Sequence, residues 1–461
     1  MMVISMYKTI LINKDNHWKE SYAKNRELKE TMDYENNKIL VEEETLSSFK
    51  KLKEKLKEEG IQVEISSGYR TIEDQQLIIN EYKNKGLDYE KYVSPINNSE
   101  HFTGLALDIV VKENNNYTED EKTLEKVHKY LKDYGFILRY PKGKEIITGY
   151  NYEPWHIRYV GNIPAKIIMD NNLTLEEYLK DYSGVLYINK PKGITSFDVV
   201  HEISKLFGIK KVGHTGTLDP LATGVMIVTI GKATKIVELL TAEDKEYIAT
   251  VKKGVLTDTL DIEGKVLKEN NPKEIINLKE VLNSFKKTYL QEVPIFSAIK
   301  VNGKKLYDYA RNNEKVELPK KEVTIKEIEL LEEKKDTFKF KTLVTKGCYI
   351  RSLIRDIGQS IDEYMTMTDL IRTKQGDISI EETNTLEDIN NNNFTVHKID
   401  EVLDYPIIAV TKELEKLIRN GCKIENNLEI KDKVIFKSID NTILGIYQVK
   451  DNNLVVWKNF V

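Results

Sequence analysis

The stretch GHTGTLDPLATGVMIVTIGKATK, residues 213–235, decides how this 461-residue chain is read. Glycines at 213, 216 and 224 let the backbone turn sharply and approach a ligand closely. Asp219, set ahead of Pro220, stands at the tip of the loop, and the apolar run 225–230 behind it reads as a strand. The residues leave two readings of Asp219 open. It is either a turn aspartate bonded to its own backbone or a carboxylate presented to a ligand. A phosphate-cradling loop fits less well, because the G-x-x-x-x-G-K-[ST] spacing is absent.

Around this loop, GVLYINKP (184–191) begins a strand and residues 196–207 read as a helix. Residues 246–268 and 322–346 alternate as strands, and 351–361 reads as a helix that follows a strand. The Asn run 390–393 marks a boundary. Beyond it, one helix (412–419) and short strands, with turns at Asp440-Asn441 and Asp451-Asn452, predict a small β-rich module.

Upstream, Leu46, Phe49, Leu52 and Leu56 stand at helical spacing within 42–59, and Gly60 closes that helix. Ile61, Val63 and Ile65 alternate as a strand, and Thr71 caps a helix running to Tyr82. GLALDIVV is another strand, and residues 121–134 form a helix ended by Gly135. Short strands are expected around Ile146 and Ile157. Mixed helices and short strands predict an α+β domain, with a join near residue 182.

Composition sets the outer limits. The chain is 40% hydrophobic and 31% charged with 25 tyrosines, which excludes global disorder. Two cysteines, Cys348 and Cys422, exclude a disulfide scaffold and a Cys-rich metal site. No apolar run approaches the ~20 residues of a membrane span. The opening MMVISMYKTILI is interrupted by Lys8 and has no small-residue cleavage site, so a cytoplasmic protein is expected. Residues 1–182 carry 27 Lys and Arg against 32 Asp and Glu, and the remainder 43 against 42. Any grip on nucleic acid must therefore come from a local patch. Lys300, Lys304, Lys305 and Arg311, interleaved with Tyr307 and Tyr309, are one candidate, although such a run is also the composition of a solvated face.

Residues 66–161 hold a separate constellation. Two imidazoles and a carboxylate, from His101, Asp108 and His156, make a sound three-ligand set for Zn²⁺. Glu153, three residues before His156, has the chemistry of a proton acceptor, and Arg70 that of an anion binder. Each histidine alone is more often a hydrogen-bonded structural residue.

The pieces S-G-Y-R, S-E-H-x-x-G-L-A-x-D, G-F-x-x-R-Y-P, I-T-G-x-x-Y-E-P-W-H and R-Y-V-G follow one another in order across residues 40–162. Together they resemble the VanY-type (M15B) D-alanyl-D-alanine carboxypeptidases. The resemblance implies that His101, Asp108 and His156 bind zinc and that Glu153 is the general base. It implies that Arg70 and Ser99 contact the substrate, and that Tyr152 and Trp155 shape its pocket. Such enzymes act on D-Ala-terminated peptides or peptidoglycan precursors.

The loop at 213–235 belongs to a second resemblance. It extends through GVLYINKPKGITSFDVV, KEYIAT, TDTLDIEG, VPIFSAIKVNGKKLYDYAR and KGCYIRSLIRDIG. These motifs resemble the TruB-type tRNA pseudouridine synthases. The resemblance implies that Asp219 is the catalytic nucleophile or base, that Tyr247 stacks on the flipped uracil and that Arg351 pairs with Asp219. His214 and Lys190 would contact the RNA, and Arg372 with Lys374 would extend the basic patch. The substrate would be the T-loop uridine at position 55 of tRNA, gripped at T-loop and T-stem, with no cofactor required. LGIYQV and LVVWKNFV in the last segment resemble a PUA-like module.

The expected architecture is multidomain α+β. A zinc D,D-peptidase-like domain occupies 1–182, a mixed-sheet pseudouridine synthase domain 183–397 and a PUA-like β-rich module 398–461. The alternative expectation is an RNA-binding or tRNA-folding protein carrying a non-catalytic peptide-binding module.

Overall fold

A computed structural model describes residues 7–86 and 93–461. Residues 1–6, half of the opening stretch read above for a leader, lie outside the described residues. The chain divides into two compact units, each α+β. One holds the described residues up to Ser183 together with His201–Val212 and Ile230–Lys232, and the other holds Gly184–Val200, Gly213–Thr229 and Ala233–Val461.

In the first unit a five-stranded antiparallel sheet runs in the order Val63–Ser67, Ala106–Glu113, His156–Tyr159, Phe136–Leu138, with Asn116–Thr118 on the second strand. Helix Glu43–Glu58 buries Leu46, Phe49, Leu52 and Leu56 against it, the face its periodicity predicts. Helix Glu121–Leu131 buries Leu124, Val127 and Leu131 beside them. A last 3₁₀ turn, Lys132–Tyr134, ends at Gly135, whose φ of +77° reverses the chain. The register sets Asp108 opposite both Ser67 and His156, so the three stand in line across neighbouring strands.

The strand expected around Ile146 is a one-turn helix, Glu145–Thr148. Its β-branched run resembles a strand locally, but Gly149 at φ +78° closes a tight turn there, and among the described residues no strand pairs with it. A hairpin of Leu28–Met32 with Lys38–Glu42 was not anticipated.

The second unit is built on a nine-stranded mixed sheet. Its main path is Thr288–Glu292, Lys320–Glu333, Thr337–Val344, Lys245–Lys253, Met365–Gln375, Thr223–Gly231 and Ser183–Lys190. Thr223–Gly231 runs parallel to Met365–Gln375, whereas Lys245–Lys253 is antiparallel to both of its neighbours. Helix Ile350–Ser360 buries Ile350, Leu353, Ile354 and Ile357 in the core, as its position after a strand suggested. A separate five-stranded sheet, from Ile407–Ala409 to Asn453–Asn459, forms the β-rich end of the chain. Ile399, Leu403, Ile435 and Ile446 share one hydrophobic cluster with Val185, Tyr187 and Ile227, so this end is packed into the larger core. Among the described residues no helix is long and apolar enough to cross a membrane.

Candidate active sites

The loop that carries Asp219 is held from several sides within the second unit. Ser196, first residue of helix Ser196–Phe207, accepts from the Leu218 N–H at 2.8 Å and donates to the Leu218 carbonyl at 3.1 Å. Arg372, on strand Met365–Gln375, donates through Nε to the Val225 carbonyl at 2.5 Å and through Nη2 to the Gly216 carbonyl at 3.1 Å. Gly224, at φ +104°, lies so close to this strand that a Cβ would stand 2.2 Å from the Arg372 carbonyl oxygen. Only glycine fits that crossing.

Asp219 is thereby held facing a cleft of about 640 Å³ whose walls include His214, Lys245, Tyr247, Tyr307, Tyr349 and Arg351. Arg351 closes a two-pronged pair on its carboxylate, Nε to Oδ2 at 2.9 Å and Nη2 to Oδ1 at 3.1 Å. The guanidinium also donates to the carbonyls of Thr259 (2.8 Å) and Phe296 (3.0 Å). Asp219, Tyr247, Arg351 and His214 line the cleft and Lys190 does not; of the expected basic patch only Tyr307 and Arg372 are among its walls, and Lys300, Lys304, Lys305, Tyr309, Arg311 and Lys374 are not. Tyr247 is largely buried on strand Lys245–Lys253, and burial raises its phenol above the ordinary value while Arg372 opposes that rise. His214 accepts from the Gly216 N–H through Nδ1 at 3.3 Å, and burial, with the nearby Arg372 charge, lowers its pKa.

Two expectations are corrected by burial. Lys190, read as an RNA contact, has no exposed surface. Its ammonium donates to the carbonyls of Pro191 (2.9 Å), Ile194 (2.7 Å) and Pro220 (3.4 Å), so it braces the back of the Asp219 loop. Burial pushes its pKa down to about 8. Arg372, read as part of an outer basic patch, is 1% exposed and holds the loop from inside. Both are strongly polar types in the sequence, and only their neighbours reveal that they face inward. Tyr349 and Phe296 were missed as cleft residues; the first was visible only as part of the Y-I-R motif.

In the first unit His101, Asp108 and His156 are all buried, and each offers one ligand atom lying within 4.8 Å of the others. The Asp108 carboxylate sits between the imidazoles, 2.9 Å from His156 Nδ1 and 3.3 Å from His101 Nε2. His101 Nδ1 lies 2.6 Å from the Gly68 carbonyl, which can only accept, so Nε2 keeps its lone pair. Burial and the Arg70 charge keep His101 below its ordinary pKa. Burial would lower His156 too, but the hydrogen bond to Asp108 and the neighbouring Glu100 carboxylate raise it to about 9. Glu153, 3.9 Å from His156 Nδ1, is pushed up to about 7 by burial. Two imidazoles around one carboxylate, with a second carboxylate beside them, fit a divalent cation of zinc's preferences.

Arg70 donates to Asp108 Oδ2 at 2.8 Å and to Ser67 Oγ at 2.9 Å, so it is tied directly to the cluster. Ser99 is buried just ahead of the turn Glu100–Thr103. Trp155 packs against the hydrophobic core, and Tyr152 lies under Lys142, 5.6 Å from ammonium to ring.

Comparison with known proteins matches both regions. The family model for D-alanyl-D-alanine carboxypeptidase matches residues 38–162, and that for the N-terminal domain of TruB family pseudouridylate synthase matches 204–350. A tRNA pseudouridine synthase B of Fusobacterium nucleatum is 46% identical over 283 residues, covering 59% of this chain and 97% of the relative. That of Clostridium tetani is 44% identical over 272 residues, covering 58% and 92%. A solved structure of the vancomycin-resistance D,D-pentapeptidase VanY in complex with Zn(II) is 30% identical, covering 38% of this chain and 99% of that one, with a TM-score of 0.33. The chain belongs to the tRNA pseudouridine synthase B family and carries a D-alanyl-D-alanine carboxypeptidase-like domain ahead of the synthase part.

Proposed function

We propose that the second unit isomerises the T-loop uridine at position 55 of tRNA, and that the two-pronged Asp219–Arg351 pair at the cleft is the centre of that chemistry. The reaction breaks the C1′–N1 glycosidic bond, turns the uracil and rejoins it through C5. Asp219 either attacks C1′ or steadies the sugar cation, and a base then removes the C5 proton. The chemistry asks for no cofactor. Arg351 orients the carboxylate, and Tyr247 offers a face on which the flipped base stacks. His214 on the cleft wall, and the Lys300–Arg311 run around Tyr307, are the proposed RNA contacts. Lys190 enters this reading as a brace of the loop. Replacing Asp219 by Asn tests it: pseudouridine formation on a tRNA transcript is expected to vanish, and a variant that still converts position 55 overturns the assignment.

For the first unit we propose a zinc D,D-carboxypeptidase that takes D-Ala-terminated peptides or peptidoglycan precursors. His101, Asp108 and His156 would hold the metal. A zinc ion bound there supplies Lewis acidity that polarises the scissile carbonyl and acidifies water. Glu153 accepts the proton of the attacking water and delivers it to the leaving D-alanine amine. Arg70 and Ser99 are the proposed substrate contacts. D-alanine release from a D-Ala-ended pentapeptide, lost in Glu153→Ala, tests this; absence of release from every such peptide overturns it. The three-part division at 182/183 and 397/398 and a cytoplasmic setting complete the proposal.

A further inference from the structure

Two buried atoms in the first unit face one another with no partner. Glu100 Oε2 and His156 Nε2 are each shut off from solvent without a hydrogen bond, and they lie 3.7 Å apart. An unmatched carboxylate oxygen in a fully buried site is costly, and so is an unmatched imidazole nitrogen. The other Glu100 oxygen, Oε1, accepts from Arg139 Nε at 2.7 Å, and Arg158 Nη1, itself without a hydrogen bond, stands 2.8 Å from it. His156 and Arg158 are two apart on strand His156–Tyr159 and so share a face, which points both at Glu100.

The network continues beyond the residues matched by the carboxypeptidase family. Arg139, with no exposed surface, donates Nη1 and Nη2 to the two oxygens of Glu176 at 2.9 and 2.7 Å. Glu176 lies on helix Leu175–Asp181, past the end of the match at residue 162, and Asn13 donates to it at 3.0 Å. Two carboxylates and two guanidiniums thus form a buried, charge-balanced chain ending at the imidazole edge opposite the Asp108 side. A shift of a few tenths of an ångström brings Nε2–H into hydrogen bonding with Oε2. That proton position leaves the Nδ1 lone pair directed at the cluster with Asp108 and His101.

We propose that Glu100 is a positioning residue that fixes the tautomer and orientation of His156 for metal binding, and that Glu176 holds it in place through Arg139. The proposal rests on the zinc reading above. It makes the helix at 175–181 part of the metal site's support rather than a mere connection.

The test is zinc affinity of the full chain, measured by competition with a chromophoric chelator, for the wild type, Glu100→Gln and Glu176→Gln. Thermal melting of the metal-free proteins checks folding. Glu100→Gln is expected to weaken zinc binding about 10- to 100-fold and to move the visible absorption of the cobalt-substituted protein. Glu176→Gln, one link further out, is expected to weaken it by a smaller but measurable factor. If Glu100→Gln fails to fold, Glu176→Gln decides the matter by the same measurement. Wild-type protein that takes up no zinc overturns the zinc reading itself. Wild-type protein that binds zinc, with folded variants matching its affinity, overturns the positioning role alone.

Discussion

Asp219 and Arg351 lie 132 residues apart in the chain and meet at one carboxylate through a hydrogen bond of 3.1 Å and an ion-pair contact of 2.9 Å. The arginine side chain is 6% exposed and the aspartate 33%, so the guanidinium stands behind the carboxylate and the carboxylate faces the cleft. Two further guanidinium donors go to the Thr259 and Phe296 carbonyls. A planar fork held on both sides leaves the carboxylate little rotational freedom.

Arg351→Lys retains the charge but loses the fork. A charge-assisted bond is worth roughly 1.5–3 kcal/mol, so pseudouridine formation is expected to slow about 10- to 100-fold. Single-turnover rates with saturating tRNA measure it. A rate within twofold of wild type would show that orientation by Arg351 is unimportant.

Gly224→Ala places a Cβ 2.2 Å from the Arg372 carbonyl and strains a residue at φ +104°. The expected cost is about 3 kcal/mol or more from backbone strain and overpacking. Denaturant unfolding reads the loss, and pseudouridine formation is expected to fall with it, because the Asp219 loop ends at this crossing.

Lys190 supplies a pH dependence. Burial lowers its pKa from 10.5 to about 8, so between these values the unfolded chain holds a proton that the folded chain has released. Stability therefore rises with pH through that window, and the penalty for the buried ammonium is fully present below about pH 8. Relative to Lys190→Met, the wild type is expected to gain unfolding free energy from pH 8 to 10. A flat difference between the two proteins contradicts the depressed pKa.

Metal removal separates the two units. After exhaustive dialysis against a zinc chelator, D-alanine release is expected to drop to background and return on adding Zn²⁺. Pseudouridine formation by the same sample is expected to stay unchanged, since Asp219, Arg351 and Tyr247 do their work without a metal ligand set. Parallel loss of both activities would contradict independent sites.

Much of this was legible in short stretches of the chain. The glycine spacing at 213–224 announced a loop feeding a strand, and helices such as Glu43–Glu58 and Lys412–Arg419 followed their periodicity or capping residues. The failures share a cause. Residues 145–148 look β-branched and strand-like, but among the described residues no strand pairs with them to complete a ladder. Met365–Gln375 does not stand out as a strand in the sequence, yet it lies inside the sheet, between Lys245–Lys253 and Thr223–Gly231. Lys190 and Arg372 are charged and were placed outside, whereas loop carbonyls surround them.

Steric rules acting over a few successive residues account for what could be read directly: where the chain turns, which helix face is apolar, which carboxylates and imidazoles are at hand. The register that sets Asp108 against His156, the fork of Arg351 on Asp219 and the chain from His156 to Glu176 belong to another level. They join residues far apart in sequence, and their geometry exists only after sheets have formed and water has been excluded. No local spacing encodes them, because buried charges are stable only beside the partners that folding brings to them.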